Sequence, residues 1–123
     1  EGPSMGLPVA FVRLSRCNLA CTWCDTAYTW RFEGDNRPHR DGIAFARKAN
    51  QVTLSPAETA ARIAALGQRR LVITGGEPLL QAGALAEMLG HLPDISVEIE
   101  TNGTVAPPAR LDIRVDQYNV GPK

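Results

Sequence analysis

Three cysteines fall within eight residues, at Cys17, Cys21 and Cys24, in the run Cys17-Asn18-Leu19-Ala20-Cys21-Thr22-Trp23-Cys24. An odd, tightly spaced set is a poor disulfide framework and points instead to metal or cluster ligation in a reducing compartment. Most iron–sulfur cubanes are held by four cysteines. Three leave one iron without a protein ligand, and an open coordination position marks a catalytic rather than a structural metal site. The alternative is a zinc site completed by a histidine. His39 is the nearest candidate; His91, late in an expected helix, reads as a surface or core residue.

Other short runs could also serve chemistry. Gly75-Gly76-Glu77-Pro78 carries two glycines that would let backbone groups approach a ligand with no Cβ in the way. Glu100-Thr101-Asn102-Gly103 and Gly121-Pro122-Lys123 each follow a strand-like stretch. Val9 to Leu14 alternates as a strand, with Val9, Phe11 and Arg13 on one face and Ala10, Val12 and Leu14 on the other. Both faces are largely apolar, so cover on each side is expected.

These runs need elements to position them. Ser55, Pro56 and Glu58 mark a helix start with a capping box, and Gly67 closes that helix after Leu66. Leu71 to Thr74 reads as a short buried strand. Leu85, Met88, Leu89 and Leu92 form a helical stripe that Pro93 stops. Ile95, Val97 and Ile99 alternate with polar residues as a strand, and Ile113 to Val120 is a weaker last strand. Strands alternating with helices predict a parallel α/β sheet or barrel, whose chemistry gathers at the carboxyl ends of the strands. The cysteines and all three other runs would then share one rim. Residues 27–52 are charged and broken by Gly34, Pro38 and Gly42. They read as a long loop that either covers a site or is a solvated insertion, with a turn of helix near Phe45 to Lys48.

The composition limits the choices. Apolar residues make up 44% and charged residues 21%, ordinary for one globular domain spanning residues 1–123. Thirteen basic and thirteen acidic side chains cancel, which disfavours nucleic acid as the main ligand. No apolar run approaches the roughly 18 residues of a membrane helix, and no signal peptide is evident, so a cytoplasmic location is expected. The chain opens at Glu1 without a Met and closes directly after a strand-like stretch. It is expected to be a fragment.

The C-x3-C-x2-C spacing, joined to Gly75-Gly76-Glu77-Pro78, resembles the radical S-adenosylmethionine superfamily. The resemblance implies a partial (β/α) barrel, open on one side, and a [4Fe-4S] cluster on Cys17, Cys21 and Cys24. S-adenosylmethionine would chelate the open iron and be cleaved reductively to a 5′-deoxyadenosyl radical. Trp23 would lie near the adenine. Among members, Glu1-Gly2, Gly6-Leu7-Pro8, Phe11-Val12-Arg13-Leu14, Cys24-Asp25-Thr26, Thr74 to Gln81 and Glu100 to Gly103 look like the 7-carboxy-7-deazaguanine synthase family. That family rearranges 6-carboxy-5,6,7,8-tetrahydropterin to 7-carboxy-7-deazaguanine with loss of ammonia, in queuosine biosynthesis.

By this resemblance Arg13 would grip the substrate carboxylate, with Glu1 and Thr74 as further substrate contacts, and Thr26 would bind Mg2+. The cofactor would be met by Trp23, Cys24, Asp25, Gly76 and Glu100, and by the Gly121-Pro122-Lys123 segment, where the family has Ser in place of Gly121. Glu98 matches no family motif and reads as structural. A Leu-Gln-Gly segment would precede Glu1, and further contacts would follow Lys123. A flavodoxin or ferredoxin would supply electrons, and a homodimer is implied. Two alternatives remain at this point: another member of the superfamily, such as a glycyl-radical activase, and a non-catalytic zinc- or cluster-binding module.

Overall fold

The computed structural model describes residues 2–123. Strand β1 (Ala10–Leu14) leaves the N-terminal turns and leads into the cysteine segment. Helix α1 (Arg47–Asn50), helix α2 (Pro56–Ala65), strand β2 (Arg70–Gly75), helix α3 (Ala82–Gly90), strand β3 (Ser96–Thr101), helix α4 (Ala109–Asp112) and strand β4 (Gln117–Val120) follow. The strands make one sheet in the order β1-β2-β3-β4, every neighbour parallel. Parallel neighbours need long crossovers, and the intervening helices supply them. The sheet does not close, giving the parallel α/β arrangement that the alternating pattern predicts and the partial (β/α) barrel that the resemblance implies.

Helices α2 and α3 cover one face of the sheet. Leu71 and Ile73 of β2, Val97 and Ile99 of β3, Leu89 of α3 and Leu111 of α4 are fully buried there. Burying each such side chain contributes about 1.5–3 kcal/mol before the entropy of ordering it is subtracted. The start of α2 is as the sequence predicts. Ser55 Oγ accepts from Glu58 N at 3.1 Å, the Glu58 carboxylate accepts from Ser55 N at 3.0 Å, and Pro56 takes the first position. Gly67, at φ +66°, turns the chain out of the helix.

Four expectations are corrected. Strand β1 is covered on one face only. Val12 and Leu14 pack on the core, whereas Phe11 is 48% exposed and Arg13 is exposed beside it. Helix α3 stops at Gly90 rather than Leu92, because His91 N and Leu92 N turn to the carbonyls three residues back, ahead of Pro93. The Arg114 guanidinium closes that end, donating to Leu89 O at 2.6 Å and Leu92 O at 2.9 Å. The last strand is shorter than Ile113 to Val120. Pro108 caps the single turn of α4, which seats Leu111 in the core and leaves Ile113 83% exposed, so pairing begins only at Gln117.

The fourth correction concerns residues 27–52, which are neither structureless nor simply solvated. A 3-10 turn at Ala27–Thr29, a bridge between Phe32 and Phe45, and helix α1 give the segment order. Trp30 and Phe32 are each 4% exposed. Backbone bonds from Arg16 N to Thr29 O and from Arg40 N to Thr22 O tie it to the cysteine segment. Among the described residues, no helix is long and apolar enough to cross a membrane.

Candidate active site at the carboxyl rim

Because all four strands run the same way, their carboxyl ends and the loops that follow meet at one rim. A cavity of about 580 Å³ opens there. Its wall on the β1 side is the cysteine segment, which begins at a sharp bend. Arg16 adopts φ +84°, a left-handed conformation that is uncommon for a residue with a Cβ. The bend is pinned from the end of β2: Gly76 N donates to Leu14 O at 3.0 Å and Glu77 N to Arg16 O at 2.8 Å. The Gln81 amide adds a bond to Ser15 O at 2.8 Å.

This contact refines the reason for the two glycines. A Cβ on Gly75 would fall on the backbone of Leu14, and one on Gly76 would fall on Arg16 O and within 2.9 Å of Cys17 Cβ. The absent side chains let β2 and the cysteine segment touch. Gly76 also lines the cavity.

Cys17, Cys21 and Cys24 all line the cavity, half-buried and unpaired. The Cys17 sulfur accepts from Leu19 N at 3.5 Å and lies 4.0 Å from Asn102 Nδ2. Burial pushes the Cys17 thiol up, the Leu19 N–H opposes this, and the Glu77 carboxylate and the other two cysteines add to the rise. The Cys24 sulfur accepts from the Trp30 indole N–H at 3.4 Å and lies 3.5 Å from Thr26 Oγ1. N–H groups aimed at cysteine sulfurs suit anionic thiolate ligands, so the residues present fit a cluster. Among the described residues no His, Cys, Asp and Glu side chains are grouped tightly enough for a single ion. A cubane, whose cysteine-bound irons occupy separate corners, asks for a wider set.

His39 is not placed to complete a zinc site. Its ring is buried and both nitrogens are engaged: Nε2 donates to Cys24 O at 2.7 Å, and Nδ1 accepts from Asp41 N at 3.3 Å. Residues 27–42 thus brace the cysteines from behind. Arg37, gripped by Asp35 at 2.6 Å, lies 4.6 Å over the Trp30 ring, and it holds the Asp35 carboxyl below the usual carboxylate range.

The floor of the cavity is the uncovered face of the sheet. Arg13 pairs with Thr74 in register, and Glu100 pairs with Asn119. Since Ile73 faces Ile99, the next residues along, Thr74 and Glu100, are also level. These four side chains make one row beneath the cysteines, and all four line the cavity. The Arg13 guanidinium sits 5.2 Å from the Phe11 ring centroid and 5.8 Å from that of Tyr28. Glu98, one step below Glu100 on the same face, accepts from Ser4 Oγ at 3.1 Å and Asn119 Nδ2 at 3.2 Å, fixing the N-terminal turns to the sheet.

The rest of the predicted site divides as follows. Trp23, 60% exposed, with Asp25 and Thr26, lines the rim beside Cys24. Gly121 and Lys123 line it after β4, and Pro122 is exposed and does not. A Cβ at Gly121 would meet Lys123 Nζ at 3.8 Å, an ordinary contact, so nothing in the space there demands glycine. Glu1, expected to touch substrate, lies outside the described residues.

Three residues without an assigned role prove central. Glu77 is fully buried, and its carboxylate accepts from Leu79 N at 3.0 Å, Thr101 Oγ1 at 2.8 Å and Asn102 N at 2.8 Å. Asn102 in turn donates to Asn18 Oδ1 at 3.1 Å, so this carboxylate links the ends of β2 and β3 to the cysteine segment. Trp30 is the third. Glu77 and Asn102 stood inside runs that the sequence singles out, yet only their neighbours drew a role.

Comparison with known proteins agrees with this geometry. The chain is 37% identical to a 7-carboxy-7-deazaguanine synthase of Pyrobaculum aerophilum, covering all of this chain and 50% of that protein. It is 38% identical to the synthase of Hyperthermus butylicus over 89% of this chain and 41% of that one. The crystal structure of QueE from Escherichia coli superposes with a TM-score of 0.63 at 30% identity, over 96% of this chain and 52% of that one. The chain spans about half the length of the curated relatives it matches. A family model described as the Radical SAM superfamily matches residues 12–120. That match runs from within β1 to the end of β4, taking in every cysteine and the Arg13, Thr74, Glu100 and Asn119 row, and the chain belongs to the radical SAM superfamily.

Proposed function

We propose that this chain is the cluster- and cofactor-binding part of a 7-carboxy-7-deazaguanine synthase, which converts 6-carboxy-5,6,7,8-tetrahydropterin to 7-carboxy-7-deazaguanine with loss of ammonia. The observation that carries the reading is the single rim: three cysteines stand above a row containing Arg13, Thr74 and Glu100, and the named relatives share that chain over nearly its full length. When bound, the cluster and S-adenosylmethionine supply one-electron cleavage to a radical that abstracts hydrogen.

The chain's own residues do the positioning. Cys17, Cys21 and Cys24 hold three irons. Glu100 accepts hydrogen bonds from the cofactor. Gly76 presents backbone to it without a side chain, and Trp23, Asp25, Gly121 and Lys123 border it. Arg13, within cation–π reach of the Phe11 and Tyr28 rings, offers a planar fork matched to a carboxylate, and Thr74 and Glu1 contact the same substrate. Thr26 would give a hard hydroxyl oxygen to Mg2+, a cation that prefers oxygen ligands. A flavodoxin or ferredoxin as electron donor, a homodimer and a cytoplasmic location belong to the same reading. The three unpaired thiols suit a reducing compartment.

The test is to reconstitute the protein anaerobically, add S-adenosylmethionine, reductant and the carboxytetrahydropterin, and analyse products by mass spectrometry. Carboxydeazaguanine is expected. Cofactor cleavage with no such product would refute the substrate assignment and favour a different substrate within the superfamily.

A further inference from the structure

Trp30 presents a large apolar body that is 4% exposed, together with an indole N–H that needs an acceptor once buried. The acceptor it finds is the Cys24 sulfur, at 3.4 Å. The ring is held in place by two side chains. Arg37 lies 4.6 Å over its face, itself anchored by both Asp35 oxygens. His39 meets it edge-on at 6.2 Å, and the same imidazole fixes the Cys24 carbonyl at 2.7 Å. The backbone of Trp30 is set by the preceding 3-10 turn. The donor and the carbonyl of its acceptor residue are therefore positioned by one rigid cluster within residues 27–42.

We propose that Trp30 is a positioning residue that raises the reduction potential of the cluster through its N–H bond to Cys24. This rests on the superfamily reading, in which Cys24 is a cluster ligand. A donated hydrogen bond stabilises negative charge on the ligand sulfur, and the reduced cluster carries one more negative charge than the oxidised one. The bond thus favours the reduced form. It is charge-assisted when the sulfur is a thiolate ligand, and its donor ring is buried, so its effect on the redox balance is large enough to measure.

The test is an anaerobic redox titration of the full chain carrying a reconstituted cluster, followed by electron paramagnetic resonance of the reduced state. Two variants are compared with the parent: Trp30→Phe, and Trp30 replaced by benzothienylalanine, which keeps the bicyclic shape and puts sulfur where the N–H was. At a fixed potential the ratio of reduced to oxidised cluster is expected to fall by about tenfold in both, a shift of about 59 mV for a one-electron couple. An unchanged midpoint in either variant that carries a full cluster would overturn the proposal. So would cluster loss from the isosteric variant, because the bond would then serve assembly rather than potential. Failure of the parent chain to take up any cluster would instead sink the ligand assignment, a separate outcome.

Discussion

Glu77 shows how a single buried charge can organise a site. A carboxylate with no exposed surface is costly unless its oxygens are satisfied, and here three donors from two segments converge on it. Glu77→Gln keeps the shape but turns one oxygen into a donor facing other donors. Chemical denaturation should show a loss of about 2–4 kcal/mol. A loss near zero would mean that the carboxylate is not what joins the ends of β2 and β3. The Cys24 sulfur, His39 and Trp30 follow the same logic, in that each buried polar atom has a named partner.

The elements carry their own predictions. In α2 the Ser55 hydroxyl and Glu58 carboxylate satisfy each other's backbone donors. Ser55→Ala should therefore lower stability by about 1 kcal/mol, read as a small fall in Tm, with the cavity unaffected. In β4, Tyr118 packs against the core from beside α4. Burial pushes its phenol up to about 12, with the nearby Asp112 carboxylate adding to the rise, although no partner among the described residues makes a well-formed hydrogen bond to the hydroxyl. The phenolate is thus disfavoured in the folded state relative to the ordinary value near 10. Its contribution to stability is intact below pH 10 and is lost as pH rises from 10 toward 12. Absorbance at about 295 nm should show one tyrosine titrating in that upper range. A midpoint at the ordinary value would contradict the buried placement.

At the scale of the molecule, a parallel sheet with one covered face explains why the cysteines, the glycine turn and the acidic strand end meet although they are far apart in the chain. Their meeting depends on the close fit between the β2 end and the cysteine segment. Gly76→Ala would drive a methyl into Arg16 O and the Cys17 side chain, with backbone rather than a flexible tip as the obstacle. A destabilisation of about 1–3 kcal/mol and a reduced iron content after reconstitution are expected. Full iron content with parental stability would show that the two segments can part without consequence.

How much of this was legible in the sequence depends on the range of the interactions involved. The cysteine spacing, the Ser55 capping box and the alternation of β3 are local signals, governed by residues within a turn of one another, and each could be read directly. The sequence by itself also determined that these runs would share one rim, since strand–helix alternation forces parallel pairing and parallel strands point the same way. Only the tertiary structure decided that Phe11 and Arg13 face an open cavity while Val12 and Leu14 face the core, because two mostly apolar faces look alike along a strand. It decided that a turn following α4 takes up the first half of the expected last strand, since the seat for Leu111 exists only once α3 is packed. It decided too that residues 27–42 brace the cysteines. Trp30, Arg37 and His39 have no shared period, and their common purpose is visible only where a buried N–H and a buried carbonyl must find partners in space.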